Sequence, residues 1–201
     1  MGKIFYIMGK SATGKDTIYK ELLKRLEGIK TITLYTTRPI RIGEKDGVEY
    51  HFVDEKRLEA FMNQGKVVEV QTFYSVYGAW KYFTVDDGQI DLDSGNYLGL
   101  GTLASYNEVR KYFGKENLVP IYIEVPDGER LIRAVGREKK QKEPNYEEVC
   151  RRFLADSEDF KEKNLEQAEI KKRFQNNQLQ KCLYEIQEYM TDIVPLDHIT
   201  T

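Results

Sequence analysis

A chain of 201 residues, with 31 Lys and Arg against 33 Asp and Glu, is long enough to bury a core of its own as one domain. Its net charge of −2 argues against a protein that grips nucleic-acid backbone over a broad face, and no apolar run approaches the ~20 residues of a membrane-spanning helix. Cys150 and Cys182 form no CxxC pair, and the residues after Met1 open directly into a strand pattern. We therefore expect a cytoplasmic protein with reduced thiols, monomeric or homodimeric, without nucleic-acid or membrane partners.

In chain order, Lys3–Met8 (KIFYIM) is short, apolar and rich in β-formers, and reads as a buried strand. It runs straight into Gly9-Lys10-Ser11-Ala12-Thr13-Gly14-Lys15-Asp16-Thr17. A helix follows, with Ile18, Leu22, Leu23 and Leu26 on one face and Gly28 near its stop. Thr31–Tyr35 reads as a second strand. Residues 36–85 have a different texture, with turns at Arg41–Gly47 and Tyr77–Gly78, short strands and a short helix over Glu55–Gln64, and are taken as an inserted, mainly β region. An alternating order then returns. Asn96–Leu100 is a strand, Leu103–Phe113 a helix, Leu118–Val125 a strand and Asp127–Arg137 a helix. Tyr146–Lys163 is a helix, Phe174 marks a last short strand and Gln178–Met190 is a closing helix. The alternation predicts an α/β fold with a mostly parallel sheet sandwiched by helices.

The stretch from Gly9 to Lys15 fits GxxxxGK between a strand and a helix, the context in which that spacing carries chemistry. Glycines let the backbone curl so that successive N–H groups face anionic oxygens, the helix adds its positive end, and Lys15 reaches the outer phosphates. The position after the lysine, ordinarily Ser or Thr for Mg²⁺, is Asp16, followed by Thr17. A carboxylate is itself a hard oxygen ligand, so Asp16 is the candidate metal residue; it equally complements the helix N-terminus.

A second anion site is expected in the inserted region, where Thr36-Thr37-Arg38-Pro39-Ile40-Arg41-Ile42-Gly43-Glu44 sets two arginines beside a turn and Tyr50 adds a hydroxyl. With the phosphate loop, these residues resemble the guanylate kinase family, whose signature runs TTR-x-x-R-x-G-E…G-x-x-Y-x-F. The resemblance implies a P-loop kinase core, an inserted monophosphate-binding region and a basic lid, here residues 137–145. It implies a nucleoside monophosphate kinase that uses ATP and Mg²⁺ to convert GMP to GDP. By position it assigns the acceptor phosphate to Arg38, Arg41, Tyr50 and Tyr77, and guanine to Glu69. The transferring phosphoryl group falls to Lys15, Arg133, Arg137 and Arg152, and the region of the ATP base to Asn176. From the residues alone, Glu69 is also an ordinary exposed strand position, and Arg133 and Arg137 are spaced to pair with Glu129 or Glu138.

The chain departs from the family pattern where the base is read. Leu34 stands in place of a serine, and Ala79 in place of a Ser or Thr. The acidic pair of the family's middle strand is replaced by Gly99 and Gly101. Two further readings follow from these positions: a kinase for a different monophosphate, or a non-catalytic binding module on the same scaffold.

Overall fold

The computed structural model describes residues 1–75 and 78–196. Strand β1 (Ile4–Met8) is buried at every residue, and β2 (Ile29–Thr31) follows helix α1 (Lys15–Arg25). The chain then leaves this sheet. Strands β3 (Tyr35–Thr36) and β4 (His51–Phe52), helix α2 (Glu55–Asn63), and strands β5 (Val67–Ser75) and β6 (Gly78–Val85) form a second unit. Its sheet has the order β4-β3-β6-β5, with β6 antiparallel to both β3 and β5. Tyr35, Leu58, Phe61, Phe83 and Val85 make its small core.

The first sheet resumes with β7 (Asn96–Gly101), helix α3 (Leu103–Phe113) and β8 (Leu118–Glu124). Then come α4 (Asp127–Glu138), α5 (Tyr146–Asp159), α6 (Glu162–Gln167), β9 (Arg173–Gln175) and α7 (Leu179–Ile193). The strand order is β2-β7-β1-β8-β9, and every pairing is parallel. Side chains alternate across β1: Phe5 and Ile7 pack with α1 and α7, whereas Ile4, Tyr6 and Met8 pack with α3 and α6. A sheet buried on both faces explains why β1 and β8 are continuously apolar. It also fixes the C-terminal ends of β1 and β8 at one edge, where doubly wound folds bind ligands.

Two expected elements are divided. Thr31–Tyr35 is not one strand: residues up to Thr31 pair with β7, and Tyr35 opens the other sheet. Between them the N–H of Thr33 donates to Gln89 Oε1 at 2.8 Å instead of to a ladder partner. The helix expected over Tyr146–Lys163 breaks after Asp159, because Phe160 turns inward to stack on Tyr122 with ring centroids 5.5 Å apart. Burying that ring redirects the chain, and α6 then packs Leu165 on the same core.

Candidate functional site

The phosphate loop is built from below. A Cβ on Gly9 would stand 2.5 Å from the Ile123 carbonyl oxygen, so only glycine passes over β8 at that point. Gly14 has φ 86° and its Cβ would meet Asn176 Nδ2 at 2.6 Å, while Ala12 holds φ 63° between them. Asn176 is buried; its Nδ2 donates to the Thr13 carbonyl at 2.7 Å and its backbone N–H to Glu124 at 2.9 Å. The Thr13 hydroxyl in turn donates to the Lys10 carbonyl at 2.8 Å. Helix α1 begins at Lys15 with no side chain capping its first N–H groups, which leaves them for an anion. Lys15 Nζ is 3.7 Å from Asp16 Oδ2, and the Asp16 side chain is 69% exposed.

Just after β3 in the second unit, Arg38 is only 3% exposed and is held from three sides. Its Nε donates to the Tyr82 hydroxyl at 3.0 Å, Nη1 to Pro39 O at 2.8 Å and Glu44 Oε2 at 3.0 Å, and Nη2 to Glu44 Oε1 at 2.8 Å. A guanidinium has about five N–H donors, so one on Nη2 is left for a ligand. Arg38 holds the Glu44 carboxyl below the usual carboxylate range, and Glu44 Oε2 also accepts the backbone N–H of Arg41 at 2.8 Å. The Arg41 side chain is exposed. Tyr50 is half-buried beside Tyr82, 5.4 Å between ring centroids, with the Arg38 guanidinium 5.5 Å from its own ring. Burial pushes the Tyr50 phenol up, reinforced by Tyr82 and by the charge of Asp16 on the phosphate loop. Tyr82 was missed in the sequence; its signal was the alternation along β6 that sets it two residues from Thr84.

Glu69 is buried, not an exposed strand position: Oε1 accepts from the Thr84 hydroxyl at 2.9 Å. Among the described residues Oε2 is buried and finds no partner at hydrogen-bond geometry, with the Ser105 and Gln71 side chains nearby. Burial pushes this carboxyl above the usual range, with the Thr84 hydroxyl pulling the other way. An unsatisfied acceptor of this kind costs free energy until a ligand donates to it.

The glycines of β7 have a steric reason. Cβ atoms on Gly99 and Gly101 would stand 2.6 Å and 2.2 Å from the Tyr6 ring and hydroxyl. Tyr6 on β1 thus fills the space that side chains on β7 would take, and burial, reinforced by the charge of Glu69, pushes its phenol well up. Introducing Gly101→Asp should destabilise the fold by about 1–3 kcal/mol through this overlap. Urea unfolding measures the loss, and pairing the change with Tyr6→Val should recover part of it.

The remaining candidates are dispersed. Arg133 Nη2 donates to the Asn176 carbonyl at 3.1 Å, beneath the loop, rather than pairing with Glu129 or Glu138. Arg137 is exposed, and Arg152, also exposed, places its Nε 2.6 Å from Glu148 Oε1 on α5. Glu148 also binds Arg151, and the two guanidinium groups pull its pKa down to about 2. Tyr77 lies outside the described residues. No group of three or more His, Cys, Asp or Glu side chains suited to a metal occurs among the described residues.

A GxxxxGK loop at the end of β1 in a five-stranded parallel sheet, with a second, four-stranded sheet that holds a buried arginine, defines a P-loop α/β protein. The chain belongs to the guanylate kinase family: the family model described as Guanylate kinase matches residues 1–193. The guanylate kinase of Chlorobium chlorochromatii (strain CaD3) is 36% identical over 139 residues, which span 68% of this chain and 70% of that relative. The guanylate kinase of Chlorobaculum tepidum is 30% identical over 135 residues, 66% of each chain. The crystal structure of guanylate kinase from Anaplasma phagocytophilum shares the fold, with a TM-score of 0.64 at 20% identity, covering 95% of this chain and 85% of that one.

Proposed function

We propose that this protein transfers the γ-phosphoryl group of ATP to GMP, giving ADP and GDP. The observation that carries the reading is an uncapped helix start behind a GxxxxGK loop at the end of β1, combined with a buried arginine, Arg38, on the second sheet of a guanylate kinase family chain. Transfer needs a donor and an acceptor phosphate held in line. An oxygen of the GMP phosphate attacks the γ-phosphorus, the new P–O bond forms, and the bond to the bridging oxygen of ADP breaks. The attacking group is already an anion, so the protein supplies positioning and charge, not a general base.

Lys15 and the loop N–H groups hold the donor phosphates; Arg38, Arg41, Tyr50 and Tyr77 hold the acceptor. Arg133, Arg137 and Arg152 meet the migrating group as residues 137–145 close as a lid over both substrates and exclude water. Asn176 reaches the ATP-base side while buttressing Thr13. The exposed Asp16 carboxylate beside the loop is a hard oxygen ligand and would hold Mg²⁺. When bound, the metal would supply neutralisation of phosphate charge.

Glu69 favours guanine for a chemical reason. The Watson–Crick edge of guanine offers adjacent N–H donors that match an acceptor-only carboxylate, whereas adenine offers a lone pair that it repels. Glu69→Gln should therefore cut kcat/KM for GMP about 100-fold while leaving the KM for ATP unchanged. Because burial raises its folded-state pKa, Glu69 stabilises the fold when protonated, and that contribution is lost as pH rises through the raised value. Glutamine mimics the neutral form, so the same variant should melt about 2 °C higher or more at neutral pH in the absence of nucleotide.

The deciding assay is ADP release with Mg·ATP and GMP, dGMP, AMP, CMP, UMP or IMP. Turnover with GMP is expected. Turnover only with another base would reassign the acceptor, and ATP binding without turnover of any acceptor would favour a binding module.

A further inference from the structure

Arg130 is 1% exposed, an unusual state for a residue on a helix as charged as α4. Its guanidinium reaches three polar groups. Nε and Nη2 donate to Asp127 Oδ1 at 3.0 and 2.8 Å, and Nη1 donates to the Ser11 carbonyl of the phosphate loop at 3.1 Å. Nη1 also meets Asp156 Oδ2 at 3.4 Å, and the guanidinium stacks 4.6 Å above the Phe153 ring. Asp156 completes the figure: the same Oδ2 accepts the backbone N–H of Ser11 at 2.7 Å. Both polar groups of one loop peptide residue are thus gripped, the carbonyl from α4 and the N–H from α5.

Helices α4 and α5 are the two roots of the segment proposed above as the lid. Arg133 and Arg137 follow Arg130 at three and seven residues on the same helix, so the grip on Arg130 sets the direction in which they project. The cluster is electrically balanced: Lys10 lies 3.3 Å from Asp127, and two cations face two carboxylates. A carboxylate beside a phosphate cradle is tolerable only with such compensation.

We propose that Arg130 and Asp156 are positioning residues that fasten both roots of the lid to Ser11, presenting the phosphate loop and the lid arginines to ATP as one pre-set unit. The proposal rests on the kinase reading. Asp156→Ala should weaken Mg·ATP binding and raise the KM for ATP about tenfold, with the KM for GMP unchanged within about twofold. Asp156→Asn keeps an acceptor for the Ser11 N–H and should recover most of the loss. If Asp156→Ala fails to fold, Arg130→Met with Asp156→Ala removes both charges together and should show the same ATP-selective loss. A lowered melting temperature with unchanged ATP affinity would reduce the pair to structural support and overturn the proposal. Tighter ATP binding by Asp156→Ala would overturn it too, by showing that the carboxylate competes with phosphate for Ser11. Calorimetric ATP affinity separates the two readings: wild-type protein that binds ATP yet phosphorylates no acceptor sinks the kinase reading alone, and the effect of Asp156→Ala on that affinity still decides the proposal.

Discussion

Lys15→Ala should lower kcat by at least about 100-fold in the ADP-release assay and leave the melting temperature nearly unchanged. The two halves of this expectation come from one geometry. Lys15 opens α1, whose first N–H groups carry no side-chain cap, so on the proposed reading its charge acts where negative charge moves during transfer. Its only ionic partner among the described residues is Asp16, at 3.7 Å and largely exposed, and an exposed pair of this kind adds little to folding. Turnover unchanged by Lys15→Ala would remove the phosphate loop from the reaction.

Arg38→Ala should damage the proposed acceptor site and the second sheet together: kcat/KM for GMP is expected to fall about 100-fold or more, with the KM for ATP held. Arg38 joins Tyr82 on β6, Pro39 and both oxygens of Glu44, and Glu44 ties the Arg41 backbone into the same turn. Removing the guanidinium leaves Glu44 unpaired and the turn unanchored, so amide exchange should accelerate over residues 38–49. Arg38→Lys should recover little, since a single ammonium cannot span both oxygens of Glu44 and still reach Tyr82 and a phosphate. Full recovery by lysine would mean that charge alone matters at this position.

The acceptor side also explains why part of the site was hidden in the sequence. Arg38, Arg41 and Tyr50 stood out through their spacing beside a turn, but Tyr82 was one aromatic among several on β6. Its role depends on the register that sets Thr36 opposite Tyr82. Glu69 was legible as a carboxylate on a strand; its burial and its unpartnered oxygen come from the packing of β5 against α3 and from Thr84 on β6.

The sequence by itself determined what short-range chemistry decides. The order strand, Gly9–Thr17, helix was readable because the loop's glycines, Lys15 and the apolar face of α1 are contiguous. Helix α3 runs over Leu103–Phe113 as expected, because Thr102 caps it by accepting the Ser105 N–H at 3.1 Å. Tertiary structure alone decided how Thr31–Tyr35 is shared between two sheets, why Tyr6 requires glycine at positions 99 and 101, and why Arg130 is buried. Those outcomes rest on contacts between distant parts of the chain: Asp156 meets Ser11 across 145 residues and Arg130 meets it across 119. No local propensity encodes such a pairing. It exists only once the parallel sheet has brought the ends of β1 and β8 to the same edge.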